Sequence, residues 1–176
     1  MYKIFTNKKQ SIFLILILTI IVGSFYFISY EKTQSGDWLT TTDPSTNLRF
    51  KYPKNLLTAY IKEIDWPPKI QILNEPFICI ESENETYMTG KTERRIINGG
   101  SYCVTTVSEG AAGSTYTQYT YAFPQGRETL LLTFSLRFFN CENYERIQVQ
   151  ECQYEQKNFN MDNTIDYIVN TIIPTQ

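Results

Sequence analysis

Glu128–Phe139 reads ETLLLTFSLRFF, and its alternation decides the fold. Leu130, Leu132, Phe134, Leu136 and Phe138 recur at every second residue, the period at which the side chains of a β-strand return to one face. Thr129, Thr133, Ser135 and Arg137 occupy the other face. Strands of this kind build a half-buried antiparallel sheet, because parallel strands are covered on both faces and lose the alternation.

Working outward from this strand, residues 115–123 (TYTQYTYAF) form a second one, ended by Pro124-Gln125-Gly126. Residues 94–97 and 101–107 flank Asn98-Gly99-Gly100, the strongest hairpin signal in the chain, since Asn-Gly supplies the positive φ angles of a tight turn. Trp38-Leu39-Thr40-Thr41 reads as a strand, Asp43-Pro44-Ser45 as a turn, and Leu48-Arg49-Phe50-Lys51-Tyr52 as a strand that Pro53 stops. Residues 56–65 read ambiguously, with a short strand around 60–64 as one option. Trp66-Pro67-Pro68 turns the chain, and two apolar runs follow at 70–73 and 77–80, then a loop at 81–91. Residues 140–160 are long, polar and acidic. Asp162 is placed to cap a helix from Asn163, with Ile165, Ile168, Val169 and Ile172 as its apolar stripe and Pro174 as its stop. The expected fold class is α+β. A single antiparallel sheet of about five to seven strands is covered by this C-terminal amphipathic helix and preceded by one transmembrane helix.

That transmembrane helix is expected at residues 12–30. Residues 12–28 read IFLILILTIIVGSFYFI without a charge, and extension to Tyr30 approaches the roughly 20 residues that span a hydrocarbon core. Phe25, Tyr26, Phe27 and Tyr30 place aromatics at the far interface. Lys8 and Lys9 precede the run while Glu31 and Lys32 cancel after it, which orients the N-terminus toward the cytoplasm. A cleaved signal peptide would have a shorter apolar core and a small-x-small site, whereas bulky FYFISYEK follows here. The expected organisation is a cytoplasmic segment at 1–11, an anchor at 12–30, a linker at 31–37 and an extracytoplasmic α+β domain at 38–176. The chain is thus expected in the cell membrane as a single-pass protein.

The chain has 16 Lys and Arg, 18 Asp and Glu, and no histidine. Setting aside Lys3, Lys8 and Lys9 leaves 13 cations against 18 acids, a net charge of −5. An acidic domain with no basic stretch argues against a nucleic-acid partner. The missing histidine excludes Ser-His-Asp and Cys-His catalysis and removes the commonest metal ligand. No catalytic residue, cofactor or metal is expected.

Cys79, Cys103, Cys141 and Cys152 are separated by 24, 38 and 11 positions, far from the close pairs of a zinc site. Beyond a membrane they suit two disulfides. Of the three connectivities, Cys79–Cys103 and Cys141–Cys152 is the favoured one. It joins two strand-like positions and closes a polar loop that has little apolar content to hold it down.

Other motifs have bland readings. Glu81, Glu83 and Glu85 alternate as a cation site would, yet lack a calcium-loop pattern. Asn84-Glu85-Thr86 is a glycosylation acceptor only in a eukaryotic host. Gly110-Ala111-Ala112-Gly113-Ser114 lacks the lysine of a phosphate loop and reads as a hairpin connection. Ser29-Tyr30-Glu31-Lys32 matches S-x-x-K at the membrane surface, outside any pocket. The richest surface signal is the strand at 115–123. Thr115, Thr117, Tyr119, Tyr121 and Phe123 share one side, and Tyr116, Gln118 and Thr120 the other. Tyr116, Tyr119 and Tyr121 are the candidate interaction surface, because tyrosine offers a rigid ring with a polar tip. The competing reading, and the favoured one, places Tyr119, Tyr121 and Phe123 in the core.

The opening hairpin, from Trp38 through Leu48-Arg49-Phe50-Lys51-Tyr52-Pro53, resembles the start of the PsbP/Mog1-like α/β sandwich domains, where an aromatic strand, a short turn and an F-x-Y-P strand recur. Residues 159–173 are similar to that group's closing helix. Residues 101–121, with SEGAAGSTY, and the four cysteines also resemble small membrane-anchored envelope proteins of unknown function from reduced bacterial genomes. The resemblance implies architecture, and no functional residue of the photosynthetic members matches a position here.

The expected function is therefore a non-catalytic binding or scaffold module, anchored in the membrane and meeting another envelope protein or a glycan. The alternative is an envelope hydrolase using two carboxylates, the remaining ordinary acid/base pair without histidine.

Overall fold

Glu128–Phe139 lies second from one edge of a five-stranded antiparallel sheet in the computed structural model, which describes residues 37–82 and 90–175. The strands are β1 (Trp38–Thr42), β2 (Leu48–Pro53), β3 (Ile61–Leu73), β4 (Lys91–Ile97), β5 (Gly100–Ala111), β6 (Ser114–Gln125), β7 (Glu128–Phe139) and β8 (Ile173–Pro174). A 3₁₀ turn at Cys141–Asn143 leads into α1 (Arg146–Asn158) and then α2 (Asp162–Asn170). The larger sheet runs β3-β7-β6-β5-β4, and β1-β2-β8 form a separate three-stranded sheet.

The expected α+β fold, one sheet under one C-terminal helix, is therefore corrected. Strands hold 53% of the described residues and helices 19%, distributed over two sheets and two helices. Pattern reading assigned the hairpin of β1 and β2 to the same sheet as β7, because alternation carries no information about which strands pair. The expected anchor at 12–30 lies outside the described residues. Among the described residues, no helix is long and apolar enough to cross a membrane.

Leu130, Leu132, Phe134 and Leu136 are buried on the inner face of β7, with Phe138 half-buried beside them. Across the sheet they meet Ile61 and Ile70 of β3, Tyr121 and Phe123 of β6, and Tyr102 and Val104 of β5. Phe50 of β2 and Met161, Ile165 and Ile168 at α2 complete this core from the other side. At roughly 25 cal/mol per Å² of apolar surface, burial on this face is the main term favouring the fold.

The Asn98-Gly99 hairpin forms as its residues require, with φ of 48° and 88°, and it joins Ile97 to Gly100 in register. β3 is longer than the sequence suggests. It continues through Trp66-Pro67-Pro68, with register shifts between Glu63 and Asp65 and between Asp65 and Lys69. Proline is tolerated there because β3 is an edge strand and needs donors on one side only. The apolar run at 77–80 is not a strand. Residues 140–160, read as irregular, contain α1, whose only buried residue is Cys152. With one buried side chain, α1 has no amphipathic stripe for a sequence reading to find.

Asp43 locks the small sheet to the large one. Its Oδ1 accepts hydrogen bonds from Ser45 N at 2.9 Å, Ser45 Oγ at 2.6 Å and Thr46 N at 3.0 Å, while Oδ2 accepts from Ile70 N of β3 at 3.1 Å. Burial pushes this carboxyl up, but the bonds from Ser45, Ile70 and Thr46 outweigh it and hold the pKa below the ordinary 3.8. A depressed folded value means the stabilisation is complete above the unfolded pKa and is lost as pH falls through the folded one. Asp43→Asn is expected to cost about 1–3 kcal/mol at neutral pH in urea unfolding. The gap between variant and parent should close as the pH drops below about 4. A gap that widens on acidification would refute the assignment.

Candidate functional site

The helix α2 is pinned to the inner face of the large sheet by two aspartates one turn apart. Asp166 is buried and accepts from the Tyr102 hydroxyl at 2.6 Å, Asn98 Nδ2 at 3.0 Å and Asn170 Nδ2 at 3.2 Å. Asp162 Oδ1 accepts from the Tyr121 hydroxyl and from Arg95 Nη1, both at 2.8 Å. Arg95 Nε also donates to Glu93 Oε1 at 2.6 Å, and Glu93 pairs with Lys91 at 3.1 Å. Asp162 does not cap α2 as expected. Met161 holds the N-cap position without a side-chain bond, and the Asp162 carboxylate is turned to the sheet.

The electrostatics of this network favour fixed protonation states. Burial raises the Tyr121 pKa, and the nearby Asp162 carboxylate raises it further, so the phenol stays neutral. Burial and Asp166 do the same at Tyr102. Burial opposes the charge of Arg95, but Asp162 and Glu93 outweigh it and move its pKa up. The Arg95 and Lys91 bonds hold Glu93 below the usual carboxylate value against a smaller burial effect. Sequence reading missed this network. Its signal was an Asp at 166 inside the apolar stripe of a helix, opposite tyrosines on a core-facing strand side.

A cleft of about 280 Å³ opens beside this network, lined by Arg95, Tyr119, Tyr121, Phe159, Asn160, Met161 and Asp162. A larger cleft, about 580 Å³, lies between the tip of the β5–β6 hairpin and residues 138–142, with Gln153 and Gln156 of α1 on its wall. Asp162 is the one carboxylate lining the first, and Glu142 the one lining the second. Two-carboxylate hydrolysis needs a pair of acids about 5–9 Å apart across the bond, and neither cleft brings a pair together.

The residues singled out in the sequence separate as follows. Tyr121 is fully buried, Phe123 is buried, and Tyr119 stacks on Phe134 at 5.2 Å between ring centroids. Tyr116 faces the opposite side, beside Arg137. Tyr116, Tyr119 and Tyr121 therefore do not form one interaction surface, because residues of odd and even number on β6 point to opposite faces. The residues that face outward with Tyr116 are Gln118 and Thr120.

The cysteines form Cys79–Cys103 and Cys141–Cys152. Cys103 lies on the outer face of β5, and Cys79 belongs to the connection that crosses this face from β3 at one edge to β4 at the other. Thr129 Oγ1 donates to Glu75 O at 2.9 Å, and Ser82 pairs with Thr92, so residues 74–82 are fastened at both ends. Glu81 accepts from Arg94 N at 2.9 Å, while Glu83 and residues 84–86 lie outside the described residues. Among the described residues no group of three metal-ligating side chains occurs. Gly110-Ala111-Ala112-Gly113-Ser114 is the tip of the β5–β6 hairpin, where Ala111 pairs with Ser114 and Ala112-Gly113, both at positive φ, make the two-residue turn. Ser29 to Lys32 fall outside the described residues.

These features define a disulfide-bonded, mostly-β domain in which α2 and β2 pack on one face of the large sheet and, among the described residues, the 74–82 connection crosses the other. No family model, curated protein or solved structure matches the chain.

Proposed function

We propose that the chain is a membrane-anchored, extracytoplasmic binding or scaffold module without turnover chemistry, meeting another envelope component. The observation that carries this reading is the open outer face of the large sheet. Among the described residues only the 74–82 connection crosses it, at one end. Below that crossing, the face offers Thr, Ser, Gln, Tyr and Arg side chains in register. The hydrophobic run at 12–30 supports the anchor, and two disulfides suit a compartment that keeps thiols oxidised. The resemblance to PsbP/Mog1-like domains contributes no activity to this reading.

A photo-reactive residue placed at Gln118 or Thr133 in the intact chain, in its own envelope, is expected to give covalent adducts. The same residue at exposed Lys157 of α1 is expected to give none. Adducts at Lys157 with none on the sheet face would overturn the reading.

A further inference from the structure

Three cross-strand rows on the outer face carry a charge balance opposite in sign to that of the domain around them. Thr92, Thr105, Thr120 and Thr133 are successive cross-strand partners on β4, β5, β6 and β7, and Lys69 of β3 ends the row. The Thr92 and Thr105 hydroxyls are 2.8 Å apart, and those of Thr120 and Thr133 3.3 Å. The next row holds Asp65, Ser135, Gln118 and Val107, and the third holds Lys62, Arg137, Tyr116 and Glu109. Strand spacing and rise make the first row roughly 19 Å long, the other two roughly 14 Å, and the three together about 14 Å deep along the strands.

Arg137 is held in place from three sides. Its guanidinium carbon lies 4.6 Å from the Phe139 ring centre and 5.8 Å from that of Tyr116, and its Nε donates to Ser114 Oγ at 2.9 Å. Lys62 Nζ sits 5.8 Å over Phe139. None of Lys62, Lys69, Arg94 and Arg137 forms an ion pair among the described residues. Lys62, Lys69 and Arg137 share the three rows with two acids, Asp65 and Glu109, a balance of +1 from three cations against two acids. Arg94 lies at the crossing connection together with Glu75 and Glu81. The chain beyond its first three lysines carries −5.

We propose that this face binds an anionic polysaccharide, a chain of sugar rings bearing carboxylate or phosphate groups. The inference rests on the binding-module reading and names its ligand. Threonine, serine and glutamine side chains both donate and accept, as sugar hydroxyls do. A guanidinium fixed by packing presents its free N–H groups to an oxyanion with little ordering cost. The core of a protein–protein interface is apolar and poor in charge, unlike these rows. Single-stranded nucleic acid needs free aromatic platforms, and Tyr116 is engaged by Arg137.

The test uses the intact chain in detergent micelles, titrated with fluorescent polygalacturonate and with phosphorylated dextran. Neutral dextran, polyglutamate and oligothymidylate serve as comparisons. At least one anionic polysaccharide is expected to bind about tenfold or more tighter than all three comparisons. Lys69→Gln, at an exposed position, and Arg137→Gln should each weaken that binding several-fold. Thr120→Val with Thr133→Val leaves the charge unchanged and should also weaken it several-fold. Equal binding of polyglutamate or oligothymidylate, or no effect of the valine pair, would overturn the proposal. Protein adducts at Gln118 without polysaccharide binding sink this inference and leave the module reading standing. Absence of both sinks both.

Discussion

Phe134→Ala is expected to remove about 3–5 kcal/mol of stability, while Ser135→Ala, one residue along the same strand, should change it by less than about 0.5 kcal/mol. Phe134 is fully buried, stacked on Tyr119 and edge-on to Trp66 at 5.6 Å between centroids. Its removal leaves a cavity bounded by rings from β3 and β6, and sheet residues cannot collapse into it without breaking register. Ser135 faces outward, and no hydrogen bond of its side chain is lost. A domain of this size has a total stability of about 5–15 kcal/mol, so the first variant forfeits a large share. Urea unfolding followed by far-ultraviolet circular dichroism should show a lower midpoint with an unchanged slope. Comparable losses for both variants would mean that the inner and outer faces of β7 are wrongly assigned.

Replacing Cys79 and Cys103 together by serine should cost about 3–4 kcal/mol in the chain-entropy model, for a loop closed over a separation of 24 residues. Replacing Cys141 and Cys152, 11 residues apart, should cost about 3 kcal/mol. The two losses differ in location. The first frees the 74–82 connection, so amide exchange at Ser82 and Thr92 should accelerate more than in the core of β7. The second releases α1, which has one buried residue of its own and is otherwise tied by side-chain hydrogen bonds: Glu155 to the Ala59 and Tyr60 amides at 2.9 and 2.7 Å, Glu151 to the Tyr60 hydroxyl at 3.2 Å and Gln156 to the Phe139 carbonyl at 2.7 Å. Helical circular dichroism should fall in the second variant and hold in the first. Identical exchange profiles for the two variants would contradict this division of labour.

Local rules were sufficient where one residue type or one period carries the information. The period of two in Glu128–Phe139 separates inner from outer side chains, and Asn98-Gly99 specifies its turn through positive φ. The Ile165, Ile168 and Val169 spacing marks α2. The cysteine pairing in the structure is the one favoured by strand-like positions and by the short polar loop. The open surface was only half legible. Tyr116, Gln118 and Thr120 could be separated from Tyr119 and Tyr121 by parity, but parity alone does not say which set turns inward.

Tertiary structure decided that question, because only the neighbouring strands and α2 determine which side of β6 meets apolar side chains. It also decided that β1 and β2 pair with β8 in a second sheet, since pairing depends on where the chain returns. α1 was illegible for a related reason: a helix with one buried side chain is held by a disulfide and by carboxylates reaching another element. The roles of Asp162 and Asp166 came from the same source. A carboxylate in a sequence carries its charge, but its partners, Arg95 and the tyrosines at 102 and 121, are supplied by strands about 41–67 residues away.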